Sequence, residues 1–195
     1  MEFQQILSWT EAERLDLADF LDTLDEHEWG VDSLCAGWTV HDVLAHLTLS
    51  TRTGLPAFVK GVIRARGSLD RMEADAARRR AAEYTPAELI AQFRATAASP
   101  RRSPGSKPAD PLVDVLVHGQ DIARPLGRVR EMPAERAAVA LERVWTSGFY
   151  GARKRLPGTR LIATDTDWTA GEGAKEVRGP AGELLLLSTG RPADR

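Results

Sequence analysis

Asp114 and His118 stand four residues apart in an apolar stretch, Leu112 to Leu126, that reads as a helix. On a helix they lie roughly 6 Å apart along the axis and about 40° apart around it. A carboxylate and an imidazole then project the same way from a stiff support, which suits gripping a divalent transition metal. A second histidine, His46, has a similar apolar setting in Val43-Leu44-Ala45-His46-Leu47. Wheel counting puts it about 120° from the centre of its helix's apolar face, a flank position like that of Asp114 and His118. Two histidines and one carboxylate leave coordination positions open, as in a catalytic rather than a structural zinc site. The flank placement suits a pocket at the edge of a helical bundle.

Plainer readings fit the same spacing. Asp114, His118 and Asp121 make a polar stripe on a helix that is apolar nearly all round, and a buried carboxylate needs a partner. The stripe could be a side-chain pair, or a hydrogen-bonded network with no metal. Asp121 could ligate, orient His118 by accepting its second N–H, or pair with Arg124. Cys35 is a rival nucleophile: it precedes a helix start at Thr39, whose dipole would lower its pKa. It reads equally as a small apolar residue under Trp38. Arg191, just past the last helix, could hold a substrate carboxylate or be a surface residue. His27 and His41 are expected to face solvent. Arg78-Arg79-Arg80 alternates with Glu73, Asp75 and Glu83, the pattern of a solvated helix face.

The elements that would position these residues are mostly helical. Phe3 to about Asp25 has helical apolar periodicity. Glu26 to Trp38 reads as a connector. Thr39 with Asp42 forms a capping box that opens a long helix to about Arg66, with a bend at Pro56. Arg71 to about Ala82 is a further helix. Thr85-Pro86-Ala87-Glu88 starts another, running to about Ala98. Ser99 to Asp110 is a loop rich in Pro and cations. After the Asp114 helix, Pro133-Ala134-Glu135 opens one that reaches about Lys154. The pattern then changes: a strand at Arg160 to Thr164, a turn from Asp165 to Gly173, a second strand or extended piece at Glu176 to Arg178, and a helix from Ala181 to Thr189 stopped by Gly190. The expected fold is mainly α, a bundle over residues 1–154 with a small α/β segment over 155–195 packed on it.

Composition excludes several classes. Of 195 residues, 43% are apolar and 28% charged, and the net charge is −2, so nothing favours nucleic acid or an acidic membrane surface as partner. The single cysteine rules out an intramolecular disulfide. No apolar run approaches the roughly 20 residues that span a bilayer, and the first residues lack a signal-peptide pattern, so a cytoplasmic protein is expected.

Cys35-Ala-Gly-Trp38-Thr39-Val-His-Asp-Val-Leu-Ala-His46-Leu47 resembles the first signature of the mycothiol-dependent maleylpyruvate isomerase family. Asp114-Val-Leu-Val-His118-Gly-Gln-Asp121-Ile-Ala resembles its second. The tail follows suit in Ala163-Thr-Asp165-Thr-Asp-Trp168-Thr-Ala-Gly171, Val177-Arg-Gly179-Pro180 and Leu184-Leu-Leu-Leu-Ser-Thr-Gly190-Arg191. The resemblance covers nearly the whole chain in order. It implies a DinB-like metal-binding four-helix bundle, with His46, Asp114 and His118 as ligands to a divalent metal, most simply zinc. It also implies mycothiol or a similar small thiol as cosubstrate, and transferase or isomerase activity on a small electrophilic substrate. A non-catalytic metal-binding bundle with a regulatory or stress-associated role is the alternative, and monomer and homodimer both stay open. In the isomerases the carboxylate ligand is usually Glu, whereas here it is Asp114, and the tail is shorter than their full C-terminal domain.

Overall fold

Helix starts are set by side chains that satisfy the orphan N–H groups of the first turn. In the structure, a computed structural model describing residues 2–192, Thr39 accepts from the Asp42 N–H at 3.2 Å while Asp42 accepts from the Thr39 N–H at 2.9 Å. Thr85 and Glu88 repeat the same box. The helices are α1 (Phe3–Leu21), α2 (Val40–Leu49), α3 (Leu55–Arg64), α4 (Leu69–Glu83), α5 (Pro86–Ala95), α6 (Asp110–Ala123), α7 (Ala134–Thr146), a short α8 (Ala152–Arg155) and α9 (Ala181–Ser188). A 3-10 turn spans Glu26–Gly30.

Four of these close a bundle: α1 packs on α5 and α6, and α2 packs on the same two from the other side. Leu17 and Leu21 of α1, Val43, Leu44 and Leu47 of α2, Leu89 and Phe93 of α5, and Leu112 and Leu116 of α6 fill its centre. Burial of such side chains contributes about 1.5–3 kcal/mol each. α4 covers the outer side of α2, with α3 beside it, and α7 lies on α6.

Two helices are shorter than their sequence pattern suggests. The expected single helix from Thr39 to Arg66 is two helices, separated by a turn at residues 50–54. Pro56 sits in the first turn of α3, where its missing N–H would have no partner anyway, so it begins a helix instead of bending one. The helix expected to reach Lys154 stops at Thr146 and resumes as α8 after Gly151, whose φ is +70°.

The tail forms a three-stranded sheet of order β2-β1-β3, with β1 (Thr159–Ala163) antiparallel to β2 (Thr169–Ala170) and parallel to β3 (Lys175–Gly179). Leu161 pairs with Ala170 on one side and Val177 on the other. α9 then packs against α7, tying the tail to the bundle. Its end matters for the site. Gly190 adopts φ +87°, and the Gly190 and Arg191 N–H groups bond back to Leu187 O at 3.1 Å and Leu186 O at 2.9 Å. This left-handed cap turns the chain sharply back and aims Arg191 at α6. Among the described residues, no helix is long and apolar enough to cross a membrane.

Candidate metal centre

α6 is buried along nearly its whole length: Leu112, Val113, Val115, Leu116, Val117 and every residue from Gly119 to Ala123 lie inside. Asp114 and His118 are the breaks in that run, both half-buried. They open toward α2, where His46 projects from the last turn. The structure therefore brings together three residues that are up to 72 positions apart in sequence. The Nε2 atoms of His46 and His118 each lie 3.5 Å from the same oxygen, Asp114 Oδ1. The ring centroids of the two histidines are 4.9 Å apart. All three donor atoms fall within 4.8 Å of one another.

The spacing bears on what the trio could hold. A separation of 3.5 Å is long for a hydrogen bond between charged partners. With metal–ligand bonds of about 2.0–2.1 Å, neighbouring ligands of a tetrahedral ion lie about 3.3–3.4 Å apart. The proton arrangement points the same way. His118 Nδ1 is 2.8 Å from Asp121 Oδ2. An ionised Asp121 can only accept, so it fixes the proton on Nδ1 and leaves a lone pair on Nε2. In a neutral imidazole that lone pair faces the Asp114 carboxylate, which is unfavourable unless a second proton or a metal cation lies between them. Carboxylate, imidazole N–H and an outward lone pair form the arrangement that supports a metal-ligating histidine. The donor set of two nitrogens and one oxygen fits a divalent transition metal.

The charges around the trio are mutually adjusted. Burial alone would raise the Asp114 carboxyl, but His46, His118 and Arg14 together hold it below its ordinary value. Burial would lower the His46 imidazole, but Asp114, with Glu73 and Asp121 behind it, outweighs burial, so its pKa is raised. His46 Nδ1 is buried with no hydrogen-bond partner among the described residues. Trp38 holds both rings from one side, stacked on His118 at 6.5 Å and edge-on to His46 at 5.2 Å.

Asp121 is fully buried. Arg191 donates to it through Nε at 3.0 Å and Nη2 at 2.7 Å, while Nη1 donates to Thr189 O at 3.0 Å. The guanidinium is thus committed to Asp121 and the backbone. Of the three roles open to Asp121 in the sequence, the geometry matches the second, orienting His118. Arg124, the partner suggested by proximity in sequence, bonds Gln120 and Glu183 instead.

Cys35 reaches the same cluster because the Leu34 N–H docks on Asp121 O at 3.1 Å. Its thiol donates to Asp121 Oδ2 at 3.1 Å. Burial, with the Asp121 charge, pushes it up to about 12, the reverse of the helix-dipole expectation. Cys35, His118 and Asp121 also have donor atoms close enough for an ion. That second position already carries a cation, the Arg191 guanidinium, on both Asp121 oxygens, so the trio with His46 and Asp114 is the better metal seat.

A cavity of about 390 Å³ opens on His46, Asp114 and His118. Its walls include Leu49 of α2, Ser50 and Thr53 just after it, Ala57, Phe58 and Gly61 of α3, Met72, Glu73, Ala76 and Arg79 of α4, the loop residues Arg102, Ser103 and Ser106, and Phe149 with Tyr150. A smaller cavity, about 110 Å³, meets Asp114 and His118 from the Arg191 side. Tyr150 borders both and donates to Asp110 at 3.0 Å. Glu73 lines the same large cavity. Burial raises its carboxyl, His46 opposes the shift, and Asp114 adds to it. Its helix does not present a uniformly solvated face: Arg80 bonds Thr48 and Gln92, and Arg78 bonds Gly37 O. His41, expected in solvent, is half-buried with Nε2 at 3.1 Å from Tyr84 O. His27 is exposed as expected.

Comparison with known proteins follows the same line. The family described as mycothiol maleylpyruvate isomerase N-terminal domain matches residues 10–130. A search of curated protein sequences gave no match. Among solved structures, a mycothiol-dependent maleylpyruvate isomerase aligns over 100% of this chain and 91% of its own, with a TM-score of 0.63 and 16% identity. A mutant of such an isomerase with a histidine replaced by alanine aligns over the same shares, with a TM-score of 0.53 and 19% identity. The fold is therefore shared through the tail.

Proposed function

Because the chain belongs to the family of the mycothiol maleylpyruvate isomerase N-terminal domain, we propose that it is a metal-dependent enzyme that uses mycothiol, or a closely similar small thiol, on a small electrophilic substrate. The observation that carries this reading is the meeting of two imidazole nitrogens and one carboxylate oxygen, at ligand spacing, on the wall of a cavity large enough for a thiol and a small acid. His46, Asp114 and His118 would hold the ion, with zinc the simplest choice for this donor set. When bound, such a cation supplies the Lewis acidity that favours thiolate over thiol at neutral pH.

The chain's own side chains supply the rest. Asp121 keeps the His118 lone pair turned toward Asp114, and Arg191 holds Asp121 in place. Leu49, Phe58 and Met72 give the large cavity an apolar wall, while Ser50, Thr53, Ser103 and Ser106 offer hydroxyl groups to a polar ligand. Holding thiol and electrophile in one cavity turns a bimolecular encounter into an oriented one. Addition of the sulfur to an electrophilic carbon and its later release isomerises the substrate; retention yields an S-conjugate.

Metal analysis of the zinc-treated protein, joined to turnover of maleylpyruvate with mycothiol, tests the reading. One zinc per chain and mycothiol-dependent turnover are expected, and His46→Ala or His118→Ala should remove both together. Histidine variants that keep a full equivalent of zinc would sink the proposed ligand set. Turnover that is indifferent to mycothiol would sink the proposed chemistry.

A further inference from the structure

The large cavity contains one carboxylate with no assigned task. Glu73, on α4, lines it together with His46, Asp114 and His118. It is half-buried, and it makes no hydrogen bond or ion pair among the described residues. The other carboxylates of the cavity are engaged: Asp110 accepts from Arg143 at 2.7 Å and Tyr150 at 3.0 Å, and Asp114 lies between the two histidines. Nor does Glu73 belong to the groups whose donor atoms lie within 4.8 Å of one another. It is electrostatically coupled to the trio. A partly desolvated carboxylate without donors is unfavourable, and a ligand carrying N–H or O–H groups relieves that. The cations on the cavity wall, Arg79 and Arg102, are both exposed, and Arg102 Nε is taken by Ser106 O at 2.9 Å.

We infer that Glu73 is a specificity-determining residue of this cavity. Its carboxylate accepts hydrogen bonds from hydroxyl or amide donors of an uncharged thiol, and it turns away thiols that carry a carboxylate close to the sulfur. A negative group farther from the sulfur would reach the exposed arginines instead. The inference rests on the reading of this cavity as a thiol site.

Two probes isolate the charge: N-acetylcysteine, which has a carboxylate near its sulfur, and N-acetylcysteinamide, which replaces it with an uncharged amide donor. Calorimetric titration of the zinc-loaded protein should show the amide binding more tightly than the acid. In Glu73→Gln the ratio of the two affinities should fall about tenfold, the scale of one hydrogen bond to a charged acceptor. Glu73→Asp, which keeps the charge, should retain most of the preference. Zinc content should stay at one per chain in all three proteins. An amide-to-acid ratio unchanged in Glu73→Gln overturns the role of Glu73 while leaving the thiol site standing. Loss of zinc from Glu73→Gln also overturns it, since the residue would then be a ligand. Failure of both probes and of mycothiol to bind the zinc-loaded wild type overturns the thiol site itself, and this inference with it.

Discussion

Replacing Asp121 by Asn removes one charge from a side chain with no solvent exposure and leaves three groups still aimed at it. The Arg191 guanidinium loses its bidentate partner, and His118 loses the acceptor that fixes its tautomer. Removing one member of a buried ion pair costs about 3–5 kcal/mol. Arg191 keeps 21% of its side chain exposed, and Asn retains one acceptor oxygen, so the cost falls below that range, to about 2–3 kcal/mol. Urea unfolding of the metal-free protein should show this as a midpoint lowered by roughly 1 M. Loss of the group that orients a ligating histidine typically weakens metal affinity about 10–100-fold, so zinc competition against a chelator should shift by that factor. Arg191→Met provides the control. In its background the Asp121→Asn cost should differ from the single-mutant cost by more than about 1 kcal/mol, since the two side chains share hydrogen bonds. Additive costs, or an Asp121→Asn protein with wild-type zinc affinity, would refute the account of Asp121 as the group that links the tail to His118.

Three further outcomes are expected. Cys35→Ser should preserve zinc binding and thiol-dependent turnover within about threefold, because the proposed nucleophile comes from outside and Ser can still donate to Asp121; loss of turnover with zinc retained would make Cys35 the nucleophile. Gly190→Ala should destabilise the fold by about 1–2 kcal/mol in thermal unfolding, because its φ of +87° is strained for a residue with a Cβ and that Cβ would lie 3.0 Å from Arg155 Nε. Glu28→Gln should destabilise the protein at pH 7, and the difference should shrink as pH falls below the ordinary carboxylate range. The Asp25 N–H at 2.8 Å and Arg128, at 2.9 and 2.8 Å, hold the Glu28 carboxyl below its ordinary value, so its contribution is present above the unfolded pKa of about 4.3 and disappears as pH falls through the folded one. A difference in melting temperature that persists at low pH would contradict this.

The helix starts at Thr39 and Thr85 were legible because a capping box is a local signal that no tertiary contact needs to rewrite. The breaks before α3 and after α7 were not, because periodic apolar residues continue across both, and only packing decides whether a chain bends or stops. His46, Asp114 and His118 could be singled out since their types are chemically distinctive and helix geometry fixes their direction. Glu73 could not. Its neighbours alternate in charge as on any wet surface, and it turns inward only because α4 packs over α2. The cation that pairs with Asp121 was not legible for a related reason. Arg124 is nearby in sequence, but the actual partner lies 70 positions away and arrives through the left-handed cap at Gly190.

The dependence of Asp121 on Arg191 also sets an order of events during synthesis. Residues 46, 114 and 118 all leave the ribosome well before residue 191. Domains fold as units in the order they emerge, so the bundle can begin to close first. Until α9 docks on α7, the bundle holds a carboxylate at residue 121 without its counter-cation. Arrival of the last helix supplies that cation and fixes the carboxylate that His118 bonds. The three side chains are delivered early, and the residue that anchors their support comes late.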